Sequence, residues 1–139
     1  MITDVQVVER RCAVDRDLLL SETDHLLRRF GRCDVIRLSE NTNTDFRLRA
    51  EADEIWSPIS GKGCFFLVDM REDSPSQECV MRIEFAEDLK QAILIPFGVA
   101  RAIVCKRDAL LVRFSTHQDN EHAEDRTISF DNLSKVLNL

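Results

Sequence analysis

Asp69 is the first candidate for chemistry in this chain, an acid that closes the apolar run Cys64 to Val68. A buried carboxylate without a partner is expensive. Asp69 therefore either faces a group that needs it, or pairs with Arg47, Arg49 or Arg71 as a structural ion pair. Arg47 and Arg49 stand two apart, so on a strand they share a face. Turned inward they form an anion site, because a guanidinium suits bidentate contact with phosphate; turned outward they are solvated surface. Trp56 follows an acidic run and can either stack on a sugar or base ring or fill the core. The glycine pair at Gly61 and Gly63 is not a phosphate loop, since it has neither the length nor the following helix.

These residues need elements to hold them, and the pattern predicts strands. Val5 to Val8 suits an opening strand and Val14 to Leu20 a second. Ser21 to Phe30 has a capping serine, early acids, a Leu-Leu pair and late arginines before Gly31, which predicts one short N-terminal helix. Cys33 to Leu38 reads as a strand and Asn41 to Thr44 as a polar turn. Further strands follow around Phe46 to Arg49, Ile55 to Ile59, Cys64 to Asp69, Cys79 to Phe85, Ala92 to Ile95, Ala100 to Cys105 and Leu110 to Ser115. Gly61 and Gly63 are expected to reverse the chain so that the strands beside them pair. Pro96 and Gly98 predict a type I turn that returns Ala100 to Cys105 against Ala92 to Ile95. Residues Asp119 to Asp125 read as a solvated acidic loop, and Ile128 to Leu139 as a short amphipathic tail. Many short strands separated by turns indicate an all-β sandwich or barrel.

A chain of 139 residues with 44% hydrophobic content can bury one core. A single domain over 1–139 is expected, with N-terminal strands and helix over 1–36, a barrel over 37–132 and a tail over 133–139. Five cysteines without a CxxC pair, behind a start with no signal-peptide pattern, predict reduced thiols and a cytoplasmic protein. Cys64 and Cys105 lie in apolar runs and should pack as small hydrophobes. A net charge of −6 argues against non-specific nucleic-acid or membrane binding. No apolar run approaches the roughly 20 residues of a membrane span. Tyrosine is absent.

Four blocks come in a known order: ISGKGCFFLVDMREDSPS, LKQAILIPFGVARAIV, LLVRFSTHQDNEH and ISFDN. Across roughly Arg37 to Asn132 they make the chain resemble the dTDP-4-dehydrorhamnose 3,5-epimerase family and its ketoisomerase relatives, the nucleotide-sugar branch of the cupins. The resemblance implies a cupin jelly-roll barrel, a homodimer, and a sugar-nucleotide pocket between the sheets. Those epimerases remove a proton beside a keto group with an aspartate-oriented histidine and return one from the opposite face with a tyrosine. The aspartate matches Asp69. The histidine should lie near Phe46 to Arg49, where FRLR has none. The family histidine after the turn is replaced by Arg101, and the tyrosine position, placed by Asn120 to His122, holds His117.

On this footing Asp69 and His117 are the candidate catalytic residues, and Arg47, Arg49, Trp56, Arg101 and Arg113 the candidate ligand contacts. His117 either donates a proton with a pKa near neutrality or is a polar strand-end residue without a task. No metal or other cofactor is expected: a cupin metal set needs two histidines two apart, an acid and a later histidine, and the chain has only His25, His117 and His122. The expected function is sugar-nucleotide or carbohydrate binding with the family's base and tyrosine lost. The alternatives are an active epimerase or isomerase with altered residues, and a structural or regulatory dimer that binds nothing.

Overall fold

The computed structural model describes residues 1–9, 31–87, 91–118 and 122–139. Its elements are β1 (Gln6–Glu9), β2 (Arg32–Leu38), β3 (Thr42–Asn43), β4 (Phe46–Leu48), β5 (Glu54–Asp69), β6 (Val80–Ala86), β7 (Gln91–Ile95), β8 (Val99–Ser115), β9 (Arg126–Ile128) and the helix α1 (Phe130–Leu137). The expected strand Val14 to Leu20 and helix Ser21 to Phe30 lie outside the described residues.

Two long strands organise everything else. β5 and β8 run antiparallel from Glu54 opposite Ser115 to Asp69 opposite Val99. Where β5 begins, it pairs on its other side with β7, which carries β1; the facing end of β8 carries β2. In its second half β5 takes β6 instead, and the facing part of β8 takes β3 and β4, with β9 beyond β4. The two halves of this antiparallel sheet close over one core: Trp56, Ile93 and Leu111 come from the first half, and Phe65, Phe85 and Ile103 from the second. A sheet folded on itself in this way buries its apolar faces without needing a helix layer between them.

The bend explains two departures from the sequence expectation. The chain does not reverse at the glycines. β5 continues through them, with register shifts between Pro58 and Ser60, Ser60 and Lys62, and Lys62 and Gly63. Only Gly61 has a positive φ, +90°, and a Cβ there would stand 2.3 Å from the Asp108 carbonyl oxygen of β8. These bulges bend the strand and change its inward phase, from Glu54 and Trp56 to Phe65 and Leu67. Likewise the expected strands Ala100 to Cys105 and Leu110 to Ser115 are parts of β8. Lys106, Arg107 and Asp108 keep exposed side chains at the bend while Arg107 stays paired with Lys62.

Pro96 to Gly98 does turn, with Gly98 at φ +79°, yet β8 does not return along β7, whose partners are β1 and β5. The Gly98 N–H donates to the Arg49 carbonyl at 2.8 Å and the Met70 N–H to the Gly98 carbonyl at 2.9 Å, so the turn is tied across the end of the barrel and sends the chain into the other half-sheet. Thr42 and Asn43, expected in a turn, form a short bridge to β8.

A second apolar cluster lies on the opposite face of β4, β5 and β8, where Phe46, Leu48, Phe66, Val68, Ala100 and Ala102 meet Phe130, Leu133 and Leu137 of α1. The C-terminal tail is thus a helix that covers the outside of one half-sheet. It starts at Phe130, three residues before the expected tail boundary. Phe130 stacks on Phe46 at 5.6 Å, and Asn138 ends the helix in the left-handed conformation. Cys64 and Cys105 are buried, as expected of small hydrophobes.

Candidate functional site

Alternation along β8 should put apolar side chains inside, and Val99, Ile103, Cys105, Ala109 and Leu111 obey it. Arg101 and Arg113 occupy the same inward phase. Arg47 on β4 is paired opposite Arg101, and Trp56 on β5 opposite Arg113, so four polar or aromatic positions converge on the barrel interior. They line a cleft of about 420 Å³ together with Ile36, Leu38, Thr44, Asp45, Ile103 and Thr127.

Behind this lining sits Glu54, 1% exposed. Arg101 donates to it through Nε at 2.7 Å and Nη2 at 3.2 Å, Arg113 through Nη1 at 3.3 Å and Arg49 through Nη1 at 3.1 Å. The Trp56 indole N–H adds a contact at 3.2 Å. Burial alone would push the Glu54 pKa up; Arg101, then Arg113 and Arg49, overrule it and hold it down to about 2. The arginines have further acids. Arg113 donates through Nε and Nη2 to Asp34, and Arg49 through Nε to Asp125 at 3.1 Å. Burial acts to raise the Asp34 pKa, but hydrogen bonds from Arg113 and Arg32 bring it below its usual value. Arg47 donates to the Thr127 hydroxyl at 3.3 Å and lies 4.0 Å from Asp125. Asp125 was expected in a solvated loop, but its side chain is 3% exposed because Arg49 and the Ala50 N–H both need its oxygens. Residues 119–121 of that loop are outside the described set.

No family model matches the sequence, and no curated protein matches it. Solved structures do match. A dTDP sugar isomerase from Desulfovibrio desulfuricans superposes with a TM-score of 0.79 at 14% identity, over 94% of this chain and 87% of that one. The dTDP-4-dehydrorhamnose 3,5-epimerase of Elizabethkingia anophelis gives 0.77 at 18% identity, over 94% and 78%. A 3'-monoepimerase from Streptomyces bikiniensis, solved in complex with dTDP-quinovose, gives 0.79 at 14% identity, over 99% and 75%. The chain has the fold of the dTDP-sugar epimerases. This is the cupin jelly roll that the sequence resemblance implied.

Within this epimerase fold the predicted residues separate into two groups. Arg47, Trp56, Arg101 and Arg113 share the cleft, and Arg49 reaches them through Glu54 while facing a second cleft of about 480 Å³ beside Met70 and Gly98. Arg47 and Arg49 therefore take the inward alternative. Trp56 takes the core alternative: it is 2% exposed, meets Phe65 edge-on at 5.7 Å and carries the Arg101 guanidinium 4.6 Å above its ring. It borders the cleft but is almost wholly buried, so it is not an open platform for a base.

Asp69 and His117 do not line the cleft. Asp69 is 0% exposed and is the last residue of β5. It accepts from Arg71 through Nε at 2.9 Å and Nη2 at 3.0 Å, from the Ser74 and Ser76 hydroxyls at 2.6 Å each, and from the Arg71 N–H at 3.1 Å. Burial works to raise its pKa, and these donors hold it well below the usual carboxylate range. Of the three arginines weighed as its partner, the structure selects Arg71. His117 lies past the end of β8, its Nδ1 2.8 Å from the Thr116 hydroxyl and its Nε2 3.9 Å from Glu51. Among the described residues no group of three His, Cys, Asp and Glu side chains is placed to hold a metal. Sequence reading missed Glu54, Asp34, Asp45 and Asp125. One signal for Glu54 was available, since it stands two residues before Trp56 and shares its face on a strand.

Proposed function

We propose that the chain binds a carbohydrate, free or carried on a nucleotide, in the cleft beside Arg101 and Arg113, and that it does not epimerise it. The observation that carries this reading is the composition of the cleft. Among the described residues its titratable lining side chains are Asp45, Arg47, Arg101 and Arg113. A guanidinium accepts no proton at neutral pH. Among the described residues Asp45 is the one lining group able to take a proton, and its Oδ1 already accepts the Phe130 N–H at 3.1 Å. Inverting a carbon beside a keto group needs a base and an acid on opposite faces of the ring. With His117 held by Thr116 and Asp69 by the loop that follows β5, neither supplies the missing partner.

Incubation with dTDP-4-keto-6-deoxyglucose in deuterated buffer is expected to leave C3 and C5 unlabelled, at about 10²–10⁴-fold below the rate of an active epimerase. Mass spectrometry reads the label. Labelling at a rate comparable to an active epimerase, abolished by His117→Phe, would establish catalysis and remove the non-catalytic reading. We also propose a homodimer, because among the described residues β1 ends the strand order and an open edge needs cover. Sedimentation is expected to give twice the chain mass at micromolar protein, and a monomer there contradicts it.

A further inference from the structure

We infer that Arg101 is the clamp of the cleft and that the carbohydrate it takes is a sugar acid, held by its carboxylate. The inference rests on the carbohydrate reading above and narrows it. Arg101 is 7% exposed and its guanidinium lies over the Trp56 ring at 4.6 Å. It donates to Glu54 through Nε at 2.7 Å and Nη2 at 3.2 Å, which occupies one edge of the planar fork and fixes its orientation. Arg101 Nη1 has no acceptor among the described residues. Nor is this nitrogen sealed off. The buried side-chain atoms without a partner among the described residues are Gln91 Oε1 and Ser134 Oγ, so Nη1 opens on the cleft that Arg101 lines.

The edge left open is the end of the fork, where Nη1 and Nη2 present two parallel N–H groups. A sugar hydroxyl satisfies one of them. A carboxylate satisfies both, with charge-assisted hydrogen bonds, and it does so without displacing Glu54 from the other edge. The charges around the cleft point the same way. Ion pairs join Asp34, Glu54 and Asp125 to five guanidiniums, those of Arg32, Arg47, Arg49, Arg101 and Arg113. Asp45 in the wall brings the carboxylates to four among the described residues. One ligand carboxylate evens that count, whereas a diphosphate carries more negative charge than the difference. The rest of a sugar ring suits the same wall: Asp45 can accept from its hydroxyls, Thr44 and Thr127 can donate to them, and Ile36, Leu38 and Ile103 offer apolar surface to its C–H face. Glu54 acts through Arg101 and is a positioning residue.

Trp56 is the single tryptophan of the chain and lies under the Arg101 guanidinium, so its emission reports a ligand on the clamp. The full chain is titrated with D-glucuronate, D-galacturonate, their neutral amides, glucose 1-phosphate and dTDP, each followed by tryptophan fluorescence. A uronate is expected to bind about tenfold or more tighter than its own amide, a preference that shrinks as salt is raised, and tighter than glucose 1-phosphate or dTDP. In Arg101→Gln, where Glu54 keeps Arg49 and Arg113, the preference for the uronate over its amide should fall toward one.

Equal affinity of the native chain for uronate and amide overturns the inference and leaves the carbohydrate reading in place, and this comparison needs no variant to fold. Tighter binding of glucose 1-phosphate or dTDP than of either uronate overturns it as well, since a sugar phosphate or sugar nucleotide is then the ligand. A folded Arg101→Gln that keeps the full preference shows the carboxylate held elsewhere and also overturns it. No response to any of these ligands defeats both readings.

Discussion

Replacing Glu54 with leucine is expected to lower stability by about 3–5 kcal/mol at low ionic strength, enough to consume a large part of a domain's margin. The change removes one carboxylate and strands three guanidiniums, those of Arg49, Arg101 and Arg113, that were desolvated against it. Asp34 and Asp125 still serve Arg113 and Arg49, so Arg101 bears most of the loss. It keeps its attraction to the face of Trp56. A drop in the urea midpoint without a change in slope is the expected signature. A loss below about 1 kcal/mol would mean that the network is weak and exchangeable with apolar packing.

The same carboxylate sets an acid limit. Its pKa falls from an ordinary 4.5 to about 2 on folding. A depressed pKa contributes stability above the unfolded value, and that contribution is lost as pH falls from about 4.5 toward about 2. The interval corresponds to about 3 kcal/mol. Asp69, also held low, adds to the loss further down. Unfolding measured near neutral pH and again at about pH 3 should therefore show a steep fall in the native chain, and a shallower one in Glu54→Gln, whose amide does not titrate.

Asp69→Ala is expected to cost about 3 kcal/mol and to release the first residues of the chain while leaving the cleft intact. Arg71 joins the Asp69 carboxylate to the N-terminus: its Nη2 donates to the Thr3 carbonyl at 2.8 Å and its Nη1 to Asp4 at 3.1 Å. Ser76 accepts the Thr3 N–H at 2.9 Å and donates to Asp69 at 2.6 Å. Ile2 is buried in the main core next to this junction. Without the carboxylate, Arg71 and two hydroxyls lose their shared acceptor and the anchor of Thr3 goes with them. Faster hydrogen exchange at the Thr3 amide should accompany the loss of stability, with sugar-induced tryptophan emission unchanged. Emission that no longer responds to sugar, in a variant whose stability is intact, would return Asp69 to the site.

The sequence by itself determined the all-β class and the position of several strands, and it left the pairing of Asp69 with Arg71 among a few open readings, because these depend on near neighbours. Alternation of apolar and polar residues is a local property, and it placed β2, β6 and β7 to within a residue or two. The same two-residue period put Arg47 and Arg49 on one face. Asp69 finds Arg71, Ser74 and Ser76 within seven residues, so its structural pairing was among the readings open from the start. Only the tertiary structure decided whether Gly61 turns the chain or bends it. A turn and a bulge use the same glycine, and the outcome depends on β8 staying in register on the far side, with Asp108 close against Gly61. The cleft is non-local in the same sense. Glu54 meets Arg101 across 47 positions of chain and Arg113 across 59, distances over which no spacing rule operates. An acidic run before a tryptophan is ordinary surface until the closing of the two half-sheets takes it out of water, and that closing turns Glu54 from a solvated charge into the counterion of the barrel.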